Sequence, residues 1–515
     1  MSGTQINLIT GLLKYEPGWK IVLDQIGTPW ETIDNTSDIS SSSFSVIIAN
    51  KVPDENEKEI LDRYLLDGGS ILTQFESGRS FIKSNLSRKK INSLAAGGEQ
   101  FNTFDLLDIF NSSIINKYEP VTTLEREGCG TIAHIPFPVN EVITKINHKR
   151  KNFYFRSERL PNEVVRLQSL GSIRRFLFSV LEFLHHRRGI PFIHTWFFPR
   201  NVPSVFTFRI DSDKGSRDEI DDLYKLLDRF EIPGSWFLDV KSHEEWMSYF
   251  KIFHNQELGI HCYEHATYNS FEKNFNNFFK AAEILKKNNI EFKGFAAPLG
   301  RWNYFINDAA EKIGFTYSSE FGFDYDNLPS FPWLSQRFSN ILQLPVHPIC
   351  AGSMRRVQFS KEQMLEYFID YIQKQIDLRE PVCLYHHPTH HFNEVFESVF
   401  GYINRQNIIK LSYSQYAEWW IKRLSAKPRF IWDITNKNIH AETSGTNEDV
   451  WYRVCLPGNK EVILPLNCGE FSVSSFNSVE QKKIYKAPSD LFRIRKFDRR
   501  HIIYNLLDYW YSIKS

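Results

Sequence analysis

Between Val205 and Tyr385 the chain repeats one alternation: a short run with few polar positions, then a longer stretch whose apolar residues recur at helical spacing. The runs are Val205–Phe208, Gly234–Leu238, Leu258–Ile260, Phe292–Ala296 and Pro381–Tyr385, the pattern of strands covered on both faces. Asp218–Phe230 and Phe271–Asn288 read as helices, the second turning Phe275, Phe278, Phe279, Ala282 and Leu285 inward. Strand-then-helix repetition predicts a barrel-like α/β domain over residues 201–425, with its site at the C-terminal ends of the strands.

The first part of the chain carries a similar signal. Phe44–Ala49 is a strand-length apolar run, Glu55–Leu66 a helix, Gly68-Gly69 a stop and Ser70–Thr73 the next strand. Together they predict a βαβ unit and a parallel sheet, to which Gly130–Ile135 adds a strand. Residues 1–150 form this α/β domain. They resemble the flavodoxin-like domains of the glutamine amidotransferase type, whose nucleophilic cysteine has no counterpart here, since no Cys precedes Gly128. Amidotransferase chemistry is therefore not expected.

Residues 151–200 read as a connecting helical segment. Its helix runs from Ser172 to His186, capped by Ser172 and stopped at Arg187-Arg188-Gly189. After Lys427 the texture changes to short strands at Phe430–Ile434, Trp451–Cys455 and Val462–Pro465, with a terminal helix over Arg500–Ile513. Residues 426–515 are thus expected to be a small β-rich module.

Composition narrows the function classes. The 515 residues carry 62 Lys+Arg against 61 Asp+Glu, without the basic excess that phosphate-backbone binding requires, so nucleic acid is not an expected partner. No run reaches the roughly 18–20 apolar residues of a membrane span, and Met1–Lys20 lacks the basic-then-apolar order of a secretory signal. The six cysteines form no CxxC pair and read as reduced thiols. A cytoplasmic location is expected. Aromatic residues reach 15%; for any single Phe the ordinary explanation is core packing, but the Trp and Tyr content leaves room for a site that stacks on sugar faces.

Three fragments carry chemistry. In Arg209-Ile210-Asp211-Ser212-Asp213 a strand runs into two carboxylates two residues apart, with Arg209 on the same face if the strand continues. Carboxylates aimed together repel unless a metal or a cation compensates. His261 and His265 stand at i and i+4, facing one way on a helical turn and able to share a metal. Taken alone, that spacing more often marks two surface histidines. The third fragment, Pro381 to His391, ends a strand in His386, His387, His390 and His391; in isolation it reads equally as a solvated loop.

Taken in order, these fragments resemble the polysaccharide deacetylases, the NodB-like carbohydrate esterases. Ala296-Ala297-Pro298-Leu299-Gly300-Arg301-Trp302 resembles the third motif of that family, usually Arg-x-Pro-x-Gly. The resemblance implies a distorted (β/α) barrel and a metal-dependent hydrolase that removes an N-acetyl group from a sugar or glycan conjugate. Asp211 would be the catalytic base and His387, with His386 as the alternative, the general acid. Asp213, His261 and His265 would hold a divalent metal, Zn2+ foremost, with Fe2+ or Co2+ as alternatives. Pro298, Arg301 and Trp302 would support or contact substrate, and Trp302, Trp333, Tyr263 and Phe321 could wall a pyranose ring. One departure stands out: the motif arginine that holds the catalytic Asp is Ala296 here. Arg209 or Arg301 would have to supply the charge. Hydrolysis of a cyclic amide on the same scaffold, and an inactive glycan-binding relative, are the alternatives.

Overall fold

A computed structural model describes residues 5–74, 77, 130–156, 158–443, 449–466, 469–473, 478–480, 503 and 506, and the backbone of strands at 87–91, 109–114 and 122–125. The terminal helix expected over Arg500–Ile513 lies almost wholly outside these residues. The chain divides into two compact units, one built from residues 1–145, 168–201 and 421–486, the other from 146–167, 202–420 and 487–515.

In the first unit, Trp30–Thr32, Thr10–Leu12, Val46–Ala49, Ser70–Gln74 and Thr131–Ile135 form a parallel sheet in that spatial order, with Thr122–Glu125 antiparallel at one edge. Every residue of Val46–Ala49 and Ser70–Gln74 is buried, which is why their sequences lack alternation. The helix expected from Ser172 begins earlier, at Leu170, with Ser169 as its N-cap residue. Ser172 does not cap; it accepts from Arg175 Nη2 at 3.0 Å. This helix packs on the sheet: Ser70 Oγ donates to its Leu184 carbonyl at 3.1 Å, and its His185 Nε2 lies 2.9 Å from Ser45 Oγ.

The strands after Lys427 complete sheets begun far upstream. Arg429–Asp433 pairs antiparallel with Gln5–Asn7, and Trp451–Leu456 with Phe192–Thr195. Arg423 joins all three stretches of this unit. Its buried guanidinium donates to the carbonyls of Asp24, Gln25, Ile26, Thr195 and Trp196 at 2.8–3.2 Å. Gly27, at φ +81°, is needed there because a Cβ would stand 2.3 Å from Arg423 Nη2.

The second unit is the α/β barrel. Its parallel strands are β1 (Val205–Asp211), β2 (Gly234–Asp239), β3 (Glu257–Cys262), β4 (Gly294–Phe295), β5 (Tyr317–Ser318), β6 (Leu342–Gln343) and β7 (Val382–His386). They run in the order β6-β5-β4-β3-β2-β1-β7, and an eighth strand, Ile409–Lys410, pairs parallel with the start of β1. No ladder joins β6 to β7. The segment after β6 spans that gap instead, with His347 N–H donating to the Cys383 carbonyl at 2.9 Å and Tyr385 OH to the Pro348 carbonyl at 3.2 Å.

Helices α1 (Arg217–Arg229), α2 (Phe271–Lys287), α3 (Tyr304–Ile313), α4 (Ala351–Arg356), α5 (Lys361–Leu378) and α6 (Asn393–Ile403) follow the strands. Phe208, Trp236, Ile260, Phe278, Phe295, Phe396 and Phe400 belong to one buried core between strands and helices. Register then fixes the site. Ile210 lies opposite His386, Asp211 opposite Phe237, and Ile260 opposite Phe295, so the ends of β1, β2, β3, β4 and β7 open at one level.

Candidate active site

Ser212 sets the local turn at the end of β1. Its N–H still joins the ladder, donating to the Phe237 carbonyl at 3.0 Å. Its hydroxyl accepts from Asp239 N–H at 2.9 Å and lies 2.9 Å from His243 Nε2. Held on both sides, the chain turns sharply, and Asp213 takes φ +40°, a conformation that non-glycine residues keep only when neighbours hold it. The strand does not continue, so Arg209 and Asp211 share a face while Asp213 is swung off it.

Arg209 and Asp211 form a two-pronged ion pair inside the barrel. Nε donates to Oδ1 at 2.6 Å and Nη2 to Oδ2 at 2.7 Å, with the side chains only 1% and 4% exposed. Nη1 donates to the Ser319 carbonyl. The fork fixes the plane of the carboxylate as a single point charge would not. Burial pushes the Asp211 carboxyl up, but the Arg209 charge and then His261 outweigh it and hold it below its ordinary value. Arg301 is exposed, and Ala296 contributes its backbone alone.

That backbone has a use. His261, at the end of β3, has its Nδ1 2.6 Å from the Ala296 carbonyl. An N–H on Nδ1 leaves Nε2 as the lone-pair atom, the tautomer a metal ligand requires. His261 Nε2 and His265 Nε2 each lie 3.4 Å from Asp213 Oδ1. His265 sits in a bend after β3 rather than on a helical turn, so the bend, not a helical face, brings the two rings to 5.2 Å.

Asp213, His261 and His265 fit a divalent ion. Two donors about 2.1 Å from one zinc at a tetrahedral angle stand about 3.4 Å apart, the spacing found here. Asp213 Oδ1 and His261 Nε2 are moreover buried without a hydrogen-bond partner, a costly state for polar atoms that have nothing to bind. Burial raises the Asp213 carboxyl, and the surrounding His387, His261 and His265 bring it well below its ordinary value.

His387 follows β7 and approaches from the opposite side, its Nε2 3.4 Å from Asp213 Oδ2 and 3.9 Å from Asp211 Oδ2. Burial lowers its pKa, but Asp213, Cys350 and Asp211 raise it further, to about 9. His386 points the other way. It is fully buried, its ring 4.3 Å from that of Phe396, and burial keeps it neutral.

Pro298 is buried in a turn that ends at Gly300. Trp302 is also buried, 5.2 Å from Phe323 and 5.3 Å from Tyr304. Phe321 is buried 6.2 Å from Tyr385, and Trp333 packs on Phe338 at 4.9 Å. Tyr263 is half-buried, with Lys280 Nζ 3.8 Å from its ring centroid.

Two neighbours carried no signal in the sequence. Glu320 is wholly buried behind Arg209; it accepts from Ala297 N–H at 3.1 Å and from Ser318 Oγ at 2.7 Å. Burial raises its carboxyl to about 7 against the pull of those donors and Arg209. Cys350 is buried beside His387 and His390. Burial raises its thiol, and the two imidazoles carry it well below the ordinary value.

No protein family matches the sequence, and no curated protein matches it. Among solved structures, the chain is similar to one described as a polysaccharide deacetylase from Mycobacterium smegmatis, at 15% identity and TM-score 0.37, covering 44% of this chain and 93% of that one. It is also similar to an allantoinase (14% identity, TM-score 0.36, 43% and 91% covered). A third is a family 4 carbohydrate esterase pseudoenzyme from Bacillus anthracis (13% identity, TM-score 0.32, 43% and 68% covered).

Proposed function

We propose that this protein is a metal-dependent hydrolase that removes an N-acetyl group from a sugar or glycan conjugate and releases acetate. One observation carries the reading: Asp213, His261 and His265 converge on one point at the strand ends, with His387 Nε2 beside it, 3.4 Å from Asp213 and 3.9 Å from Asp211. Asp213 Oδ1 and the two Nε2 atoms would hold the ion. When bound, such an ion supplies a Lewis acid that polarises a carbonyl and lowers the pKa of water from 15.7 to about 7.

Asp211 accepts the proton of the attacking water at Oδ2, the oxygen nearer His387. Arg209 orients that carboxylate, taking the part of the arginine missing at Ala296. His387 donates from Nε2 to the departing nitrogen, since an amine is too basic to leave unassisted. The sugar substrate is supported by the order and form of the motifs.

The test is to purify the protein without added metal, then measure bound metal and acetate release from N-acetylated sugars. About one ion at this site, lost in Asp213→Ala, is expected, with acetate release lost in both Asp213→Ala and Asp211→Ala. Metal binding without acetate release would reject the acetamide and direct the search to cyclic amides.

A further inference from the structure

The turn after β7 builds a second cluster of metal-binding side chains behind His387. Pro388–His390 is a single tight turn closed by His390 N–H donating to the His387 carbonyl at 3.0 Å. It brings the rings of His387 and His390 to 4.4 Å. Cys350, just before α4, is a free, buried thiol. Its sulfur and one nitrogen of each histidine lie within 4.8 Å of one another. Nδ1 of both histidines is buried without a hydrogen-bond partner.

His390 is fitted closely into this place. A Cβ on Gly352 would stand 2.2 Å from its Nδ1 and Cε1, so the backbone of α4 is bare where the ring enters. His387 Nε2 is turned to Asp213 and Asp211, which leaves its orphaned Nδ1 as the nitrogen free for the cluster with Cys350 and His390.

We infer that Cys350, His387 and His390 form a second metal site, distinct from that of Asp213, for a thiolate- and imidazole-preferring divalent ion such as Zn2+. The ion would bind His387 at Nδ1 and leave Nε2 facing the acids. A histidine bound through one nitrogen cannot become an imidazolium, so occupancy would leave His387 only a neutral Nε2–H, a far weaker acid toward the departing amine. That consequence rests on the function proposed above; the site itself does not.

Titration of the metal-free protein with Co2+, followed by absorption, tests the site, because a cobalt–thiolate bond gives a near-ultraviolet charge-transfer band that nitrogen and oxygen ligands do not. Two equivalents are expected in the wild-type protein, only one of them raising this band. Asp213→Ala should keep the band and lose the other equivalent. Cys350→Ala should lose the band and keep the visible cobalt absorption of the Asp213 site, which also shows that the variant is folded. Absence of the band in the wild-type protein, or its persistence in Cys350→Ala, would overturn the inference. A band that follows Cys350 in a protein that releases no acetate from any N-acetylated sugar would leave this site standing and remove the proposed function alone.

Discussion

At the scale of single residues, the placement of one arginine matters most. Arg209 stands two positions before Asp211 on the same strand face and meets both of its oxygens, so one strand supplies both the acid and its clamp. Arg209→Lys keeps a charge but loses the fork. It should lower kcat about 10–100-fold with bound metal unchanged, read by steady-state kinetics beside metal analysis. Arg209→Met leaves a buried carboxylate uncompensated and should cost about 3–5 kcal/mol in urea unfolding.

Glu320 gives a pH dependence of definite sign. Its carboxyl is held at about 7 in the folded chain against an ordinary 4.5. Between those values the folded state binds more protons than the unfolded one, so stability falls as pH rises. The loss amounts to about 3 kcal/mol across that window. Urea midpoints measured from pH 4.5 to 7 should therefore decline more steeply in the wild-type protein than in Glu320→Gln. Parallel curves would show that Glu320 ionises freely. The period of two along β1 made the Arg209–Asp211 contact legible in the sequence. The contact of Cys350 with His387 was not, because it is set by how α4 and β7 lie together and no local pattern encodes that.

At the scale of elements, legibility followed length. β1, β2, β3 and β7 are five to seven residues long, and each contains an apolar stretch that stands out. β4, β5 and β6 have two residues each; β4 showed only as part of the longer run Phe292–Ala296, while β5 and β6 are strands only because their neighbours extend the ladder. His261 on β3 and His265 after it teach a related lesson: spacing of four suggested a helical face, while the backbone uses a bend to the same end. Helix starts depend on caps. α1 begins at Arg217 because Ser216 and Glu219 form a reciprocal capping box, one residue ahead of the start that the apolar pattern implied. Ser216→Ala should cost about 1 kcal/mol in denaturant unfolding. As Ser216 lies five residues after Asp211, loss of activity beyond loss of stability would show that the cap also steadies the acid's loop.

At the scale of the whole molecule, the barrel unit draws most of its residues from one stretch, 202–420, while the other unit is gathered from three. Arg423 shows what holds those three together: one guanidinium donating to backbone carbonyls at 24–26 and 195–196. A chain ended after Trp420 loses this hub and the strand partners of Gln5–Asn7 and Phe192–Thr195. Limited proteolysis of that shortened chain should cleave within residues 5–74 while sparing 205–386. Equal protection of both stretches would show that the first unit holds without its last third.

The pairing of Gln5–Asn7 with Arg429–Asp433 also bears on how the molecule is made. A ribosome adds about 5–20 residues per second, so the first strand emerges on the order of tens of seconds before its partner exists. The intervening barrel stretch can close while translation continues, since its strands find their neighbours within one continuous run of chain. The first unit must stay open until the strands after Lys427 have been delivered, with a bare strand edge exposed to every other nascent chain nearby. Slowing translation after residue 420 would prolong that exposure, so codon choice over the last hundred residues becomes a determinant of how much folded protein a cell recovers.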